Sequence, residues 1–517
     1  MAPVSHVDSP WLIILLAEGR TSTTKGRLEI SVQDRRGDNE SGTLAGLRRE
    51  FYACLTKRAD ALFELADAVL CADGPVRSLV ELSLVGEHRR GHGWLYAALA
   101  RGRLDVARLR TALSAVALPR AADGRLVLAV DITCWLRPDA HTSPERILCH
   151  TYGRGKDQHI MVPGWPYSFV VALETGRSSW TAPLDAVRLA PGDDAATVTA
   201  TQLRDVVARL IAAGHWSAGD PEILIVADAG YDAPRLAWLM RDLPVQVLAR
   251  MRSDRVLRRA VPPRAPGTNG RPPRHGGEFI FGDPNSWGRP DVTTVTDTRL
   301  YGQAVARSWD RLHPRLTRRA GWMGSADLPL IEGTVIRLDV ARLPSGAIPK
   351  PVWLWWSGTG ATPAQADLLW QAFLRRFDIE HTFRLFKQTL GWTCPKVRTP
   401  QAADRWTWML LAVYTQLRLA RHLAADLRRP WEKPARAERL SPARVRRGFR
   451  HLRGKTPCPA NAPKPCQPGP GRPPGRRNTK PTPRHDVHIM TTATSTKTNT
   501  NKPTKKKSIN PRPRRTG

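Results

Sequence analysis

Two apolar runs of strand length each carry one acid where a sheet interior is normally uniform. "VLAVDIT" (127–133) holds Asp131 in mid-run, and "ILIVADAG" (223–230) reaches Asp228 at its end. Short apolar runs bounded by turn residues read as strands buried on both faces. A carboxylate there is costly unless a cation meets it. The neighbouring segments set the fold class. "YSFVVALE" (167–174) and "SSWTAPLDAVRL" (178–189) alternate like a hairpin, and "PGDD" (191–194) opens a helix of about 20 residues. "APRLAWLMRDL" (233–243) reads as a short helix with Asp232 of "GYD" as its cap, and "VQVLARMR" (245–252) as a fifth strand. The order β-β-β-α-β-α-β predicts a mixed α/β layer fold.

Around this unit the chain divides by pattern. Residues 1–42 show no sustained periodicity and are expected to form a poorly ordered extension, and 43–120 to form a small Arg-rich helical domain. The α/β domain is expected over 121–400, with a β-rich insertion at 253–346 that opens on the Pro/Gly/Arg loop "VPPRAPGTNGRPPRHGGEF". A strand, "KPVWLWWSG" (350–358), then leads into one helix. Thr362 is its N-cap, Pro363 and Gln365 its first and third positions, and Gly391 its end. Residues 401–455 read as a C-terminal helical region and 456–517 as a disordered basic tail.

Charge indicates the partner. The 517 residues carry a formal net charge of +34, and the stretch from 456 to 517 holds 14 Lys and Arg against the single acid Asp486. An Arg-rich genome explains scattered arginines, but not their concentration in one tail. A polyanion, nucleic acid first, is the expected partner. The seven cysteines (54, 71, 134, 149, 394, 458, 466) include no CxxC pair or zinc-like cluster, which fits a reducing cytosol. "WLIILLA" (11–17) is too short to span a bilayer, so neither a membrane span nor a signal peptide is expected.

Within the helix, "RRFDIEHTFRLFKQ" (375–388) sets charges among apolar residues. At about 100° per residue, Arg376, Glu380, Arg384 and Lys387 share an arc of about 80° with apolar residues on both sides. Solvent is expected on the side of Gln371, Arg375, Asp378, Thr382 and Thr389 instead. Helical ion pairs at i,i+4 are the plain alternative. An inward Glu380 would instead join Asp131 and Asp228, and three carboxylates without His or Cys suit two Mg²⁺ or Mn²⁺ ions acting on a phosphodiester.

With these residues in place, the chain resembles the DDE transposases of bacterial insertion sequences that carry the Tyr-x2-Arg-x3-Glu-x6-Lys signature. Phe373, Arg376, Glu380 and Lys387 stand at the four signature places, with Phe for Tyr, and the intervals are 228 − 131 = 97 and 380 − 228 = 152. The resemblance implies an RNase H-like fold and a cytoplasmic, nucleoid-associated protein. It implies Asp131, Asp228 and Glu380 as metal ligands, with Arg376, Lys387 and the neighbouring Arg384 on DNA. Phe373 keeps the ring but lacks the hydroxyl of that contact. The implied chemistry is cleavage at insertion-sequence ends and strand transfer into target DNA, by a homodimer whose DNA-binding helical domain, 43–120, recognises the terminal inverted repeats. A catalytically inactive DNA-binding derivative and a structure-specific nuclease of the same fold are the alternatives. Trp353 of "VWLWW" matches the place of a base-stacking Trp in the family, against a sheet-core role. Arg271 and Arg472, in two "GRPP" stretches, resemble minor-groove hooks. "YGRGK" (152–156) lacks the spacing of a phosphate loop.

Overall fold

The computed structural model describes residues 29–91, 93–152, 159–175, 178–263, 270–316, 328–343, 345–464 and 481–489. Its centre is one ten-stranded sheet. The first six strands are β1 (Val127–Leu136), β2 (Ile147–Tyr152), β3 (His159–Leu173), β4 (Thr181–Arg188), β5 (Ile223–Ala227) and β6 (Val245–Met251). β4, β3 and β1 pair antiparallel, then β5 and β6 continue in parallel from β1. This order, 4-3-1-5-6, is that of an RNase H-like fold. β2 is an addition to the expected pattern, pairing with the far end of the long β3.

The β-rich insertion does not stand apart. Its strands β7 (Val292–Thr298), β8 (Gly302–Leu312) and β9 (Gly333–Val340) join through β10 (Val352–Trp356) to the edge of β6 and prolong the same sheet. Among the described residues of the insertion, 256–258 and 278–280 pair as a small ribbon, which is bridged to the main sheet's edge through Arg258 and His313. Trp353 and Trp355 lie on the same face of β10 and pack in the core on that side.

Helices cover both faces. Ahead of the sheet come α1 (Glu29–Cys54), α2 (Ala59–Cys71), α3 (Gly93–Arg101) and α4 (Val106–Ser114). α1 begins inside the stretch expected to be an extension. One face of the sheet packs on α5 (Ala195–Ala212) and α6 (Ala233–Leu239), which start on Asp194 and Asp232 caps. The other is covered by α7 (Pro363–Arg375), α8 (Phe377–Gln388) and α9 (Pro400–Leu419). α7 opens with the expected capping box, the Thr362 and Gln365 side chains and backbones bonded reciprocally. α10 (Pro442–Lys455) closes the chain's last helical turns against α2.

α9 is apolar nearly all round because it is sandwiched. β4 lies on one side of it and α1, α2 and α3 on the other, so the helical part expected at 43–120 shares one continuous core with the sheet. A buried ion pair fixes this seam. Arg48 of α1 donates to both Asp67 oxygens at 2.8 and 3.0 Å and to Gln416 Oε1 of α9 at 2.7 Å. The described parts of the basic tail are placed as well: Asn461 N–H donates to Asp60, and residues 485–488 lie against β2. Arg48→Met is expected to lower stability by about 3 kcal/mol, because Asp67 stays buried with only Arg453 to pair it. Urea unfolding should then remain a single transition; separate unfolding of the helices would contradict the shared core.

Candidate active site

The alternation of β1 aims Asp131. Val127, Ala129 and Trp135 belong to the core under α8, and Leu126, Leu128 and Val130 to the core under α5, so Asp131 turns toward α8. Register supplies the second acid. Val127 pairs with Leu224 and Ala129 with Val226, an offset of 97 (224 − 127 = 97). The same offset separates Asp131 and Asp228, which therefore sit side by side where β5 ends.

Glu380 comes from a helix that breaks just before it. In place of the single expected helix there are two, joined at Arg376. The Arg376 N–H donates to Phe373 O and the Ile379 N–H to Arg376 O, each at 3.0 Å, three-residue steps in a four-residue ladder. The tight turn throws Arg376 inward. Its Nη1 donates to Asp131 Oδ2 at 3.0 Å and its Nη2 to Glu380 Oε1 at 3.0 Å, with Asp228 Oδ1 at 3.9 Å. The guanidinium is 4% exposed and stands between all three acids.

Electrostatics follows from this crowding. Burial pushes the Asp131 and Glu380 carboxyls up, and Arg376 pulls both back only in part, while the other acids add to the rise. Burial also works against the Arg376 charge, but Asp131, Asp228 and Glu380 outweigh it and hold its pKa above the ordinary value.

The rest of the charged stripe divides. Lys387 is half-buried beyond Asp131, its Nζ 5.8 Å from the Trp392 ring centre, and burial lowers its pKa against the opposing charges of Cys134 and Asp131. Arg384, at the edge of the arc, is exposed. Phe373 is a core ring, 2% exposed and edge-on to Phe377. Trp353 is likewise core: stacked on Phe281 at 4.5 Å and hemmed by Trp287 and Trp309, it has no open face for a base. Arg271 is exposed in the loop between the two ribbon strands, and Arg472 lies outside the described residues.

The side of the helix expected to meet water is largely covered. Thr382 is hydrogen-bonded to Thr181 of β4 at 2.8 Å, Arg375 donates to the Glu174 and Ser178 carbonyls, and Asp378 is buried against Arg375. A helical wheel cannot see β4 and α9 closing over this face. Tyr231, in the turn after Asp228, is a neighbour that sequence reasoning passed over. Burial, then the charge of Asp131, keeps its phenol protonated. Its position in "DAGYD", three residues past an acid, was the available signal.

A profile of the DDE superfamily endonucleases matches residues 50–315, just over half of the chain (266 of 517). This chain belongs to that family. The matched span contains Asp131 and Asp228 and ends before Glu380, whose place in the site rests on geometry. Among solved structures, the "Drosophila P element transposase strand transfer complex" aligns at 18% identity and a TM-score of 0.19, over 35% of this chain and 36% of that one. A likeness so slight carries no argument. No curated protein matches the chain.

The donor set of this DDE endonuclease suits a hard divalent cation. Asp131, Asp228 and Glu380 offer only carboxylate oxygens, Asp228 Oδ1 is buried without a hydrogen bond, and a cationic group already stands in their midst. Among the described residues the acids are not closed to metal-ligand spacing, since the guanidinium occupies the space between them. Arg376→Met should therefore destabilise the metal-free protein by about 3 kcal/mol. Mn²⁺ should raise its melting temperature more than that of the wild type; equal shifts would exclude the guanidinium as the resident counter-ion.

Asp378 gives a separate pH test. Burial raises it from 3.8 to about 7 despite Arg375. A raised folded-state pKa means that its contribution is complete below pH 3.8 and is lost as pH climbs through about 7. Asp378→Asn should match the wild type in melting temperature at pH 4 and exceed it by about 3 °C or more at pH 8.

Proposed function

We propose that this DDE endonuclease is a transposase of the signature-bearing insertion-sequence type, cutting DNA at the ends of its element and joining the freed 3′ hydroxyl to target DNA. One observation carries the reading: acids from β1, the end of β5 and α8, far apart in sequence, meet around a single cation. Family membership supports nuclease chemistry at such a cluster. Asp131, Asp228 and Glu380 would hold divalent metal, Mg²⁺ or Mn²⁺, which when bound supplies activation of the attacking oxygen and stabilisation of the leaving one.

The chain's own residues have definite parts in this. β1 and β5 hold two carboxylates rigidly by register, and α8 presents the third from its first turn, where the helix dipole favours an acid. Arg376, which bridges the acids from the turn before α8, would lie beside a phosphate held at them. Lys387, whose pKa burial lowers, sits beside the same strand and can hold a phosphate or a terminal base. Arg384 extends the basic surface outward along α8. DNA, as element ends and target, is the proposed partner, and a homodimer that brings two ends together is the proposed assembly.

Asp131→Asn is expected to reduce Mg²⁺-dependent cleavage of end-containing DNA by at least about a hundredfold while leaving DNA binding intact. Cleavage at the wild-type rate would remove Asp131 from the site. A second readout separates transposase from plain nuclease: a gel-resolved product in which the cut end is covalently joined to a target duplex. Cleavage without any joined product would reject strand transfer.

A further inference from the structure

The loop that joins α9 to α10 is held from behind by α10. Arg444 donates to the two Asp426 oxygens at 2.7 and 2.6 Å and to Lys433 O at 3.1 Å. Arg447 donates to both Glu432 oxygens at 2.9 and 2.7 Å. Asp426 also accepts the Ala435 N–H at 3.2 Å. Gly448 allows the helix to come this close, since a Cβ there would stand 2.7 Å from Ala425 O. Asp426 and Glu432, the two acids of residues 426–436, are therefore paired toward the helix.

Residues 429–432 form the tip. The Glu432 N–H donates to Arg429 O at 2.9 Å, which makes a β-turn with Pro430 and Trp431 at its corner, and the proline ring presets the first corner angle. The Glu432 carboxylate returns to accept the Arg429 N–H at 2.8 Å. The turn is thus fixed from both ends, and it holds Trp431 outward, 75% exposed. The Arg429 guanidinium stands 5.6 Å from the indole ring centre, and most of the ring remains open.

Four cations surround this ring in sequence, Arg428, Arg429, Lys433 and Arg436, and all four are exposed. A single exposed apolar side chain is ordinary. An indole held at a braced tip among cations is a more specific arrangement, because it offers a flat apolar face together with positive charge on either side. The core of a protein interface is depleted of charge, so these surroundings suit a protein partner poorly. They suit a nucleic acid strand, whose phosphates meet the cations and whose bases each have a face to stack. In an intact duplex those faces are covered by neighbouring bases, so the open ring fits an unpaired one.

We propose that the Trp431 loop is a binding site for single-stranded DNA, in which the indole stacks on an unpaired base and Arg428, Arg429, Lys433 and Arg436 take the flanking phosphates. The choice of DNA rests on the function proposed above; the platform rests on the loop alone. None of the five residues belongs to the carboxylate site.

The test measures binding by the full chain without divalent metal, so that cleavage and joining play no part. Trp431→Ala should hold an oligothymidylate strand of about ten nucleotides roughly tenfold more weakly than the wild type, with an unchanged melting temperature. Trp431→Phe, which keeps a ring, should recover most of that loss, and affinity for a blunt duplex should be the same in all three proteins. Wild-type affinity of Trp431→Ala for the strand overturns the platform. An equal loss on the blunt duplex, on base-free polyphosphate or on phosphatidylserine vesicles overturns the unpaired base as its ligand. Tighter binding of oligouridylate than of oligothymidylate through Trp431 overturns the choice of DNA. Replacing the four cations by Gln should lower the logarithmic salt slope for the strand by about 0.7 for each phosphate contact removed, and an unchanged slope overturns their role. A chain that grips the strand through Trp431 yet neither cuts nor joins element ends upholds the platform and rejects the transposase reading.

Discussion

Three carboxylates in one partly dehydrated pocket repel one another and lose their water, so the pocket holds together only around positive charge. Arg376 meets that requirement within the chain. Its position explains the break between α7 and α8: an unbroken helix would present residue 376 and residue 380 at fixed heights on one face, with no freedom to bring the guanidinium into the midst of β1 and β5. Two short three-residue steps at Phe373 and Ile379 provide that freedom. The same requirement suits the metal chemistry proposed for the site. A pocket organised by a guanidinium is shaped for cationic charge, and a small divalent ion would satisfy the same oxygens at shorter range.

What the sequence made legible was whatever depends on local pattern or fixed register. The acids at 131 and 228 stand out because an apolar strand tolerates no unexplained charge, and their 97-residue spacing equals the offset of the parallel pair that carries them. Thr362 and Asp232 were readable as caps, since a cap is a local hydrogen bond. Elements governed by distant partners were not readable. Asp378 and Thr382 looked solvent-facing because nothing near them in sequence announces β4 and α9. Trp353 could be a stacking platform or a core ring by sequence alone, and Phe281, Trp287 and Trp309 from the insertion pack around it in the core.

The long interval between Asp228 and Glu380 is where architecture does most to make the site possible. A loop of 151 residues would leave Glu380 without a defined approach, yet the described part of the interval is folded as an extension of the catalytic sheet. β6 pairs with β5, the inserted strands build outward, and β10 returns the chain to the edge of β6. The chain thus re-enters beside the strands that carry the first two acids, and the ring cluster of Trp353, Phe281, Trp287 and Trp309 fixes the returning strand from one side. From Trp356 only a short turn separates β10 from the Thr362 cap, so α7 and α8 can lie only across the face on which Asp131 projects. Loosening the inserted strands would act on Glu380 through β10, at a distance from the acids themselves. The insertion is therefore part of the mechanism that positions the third acid, and its attachment to the central sheet, as opposed to a separate domain, is the physical reason.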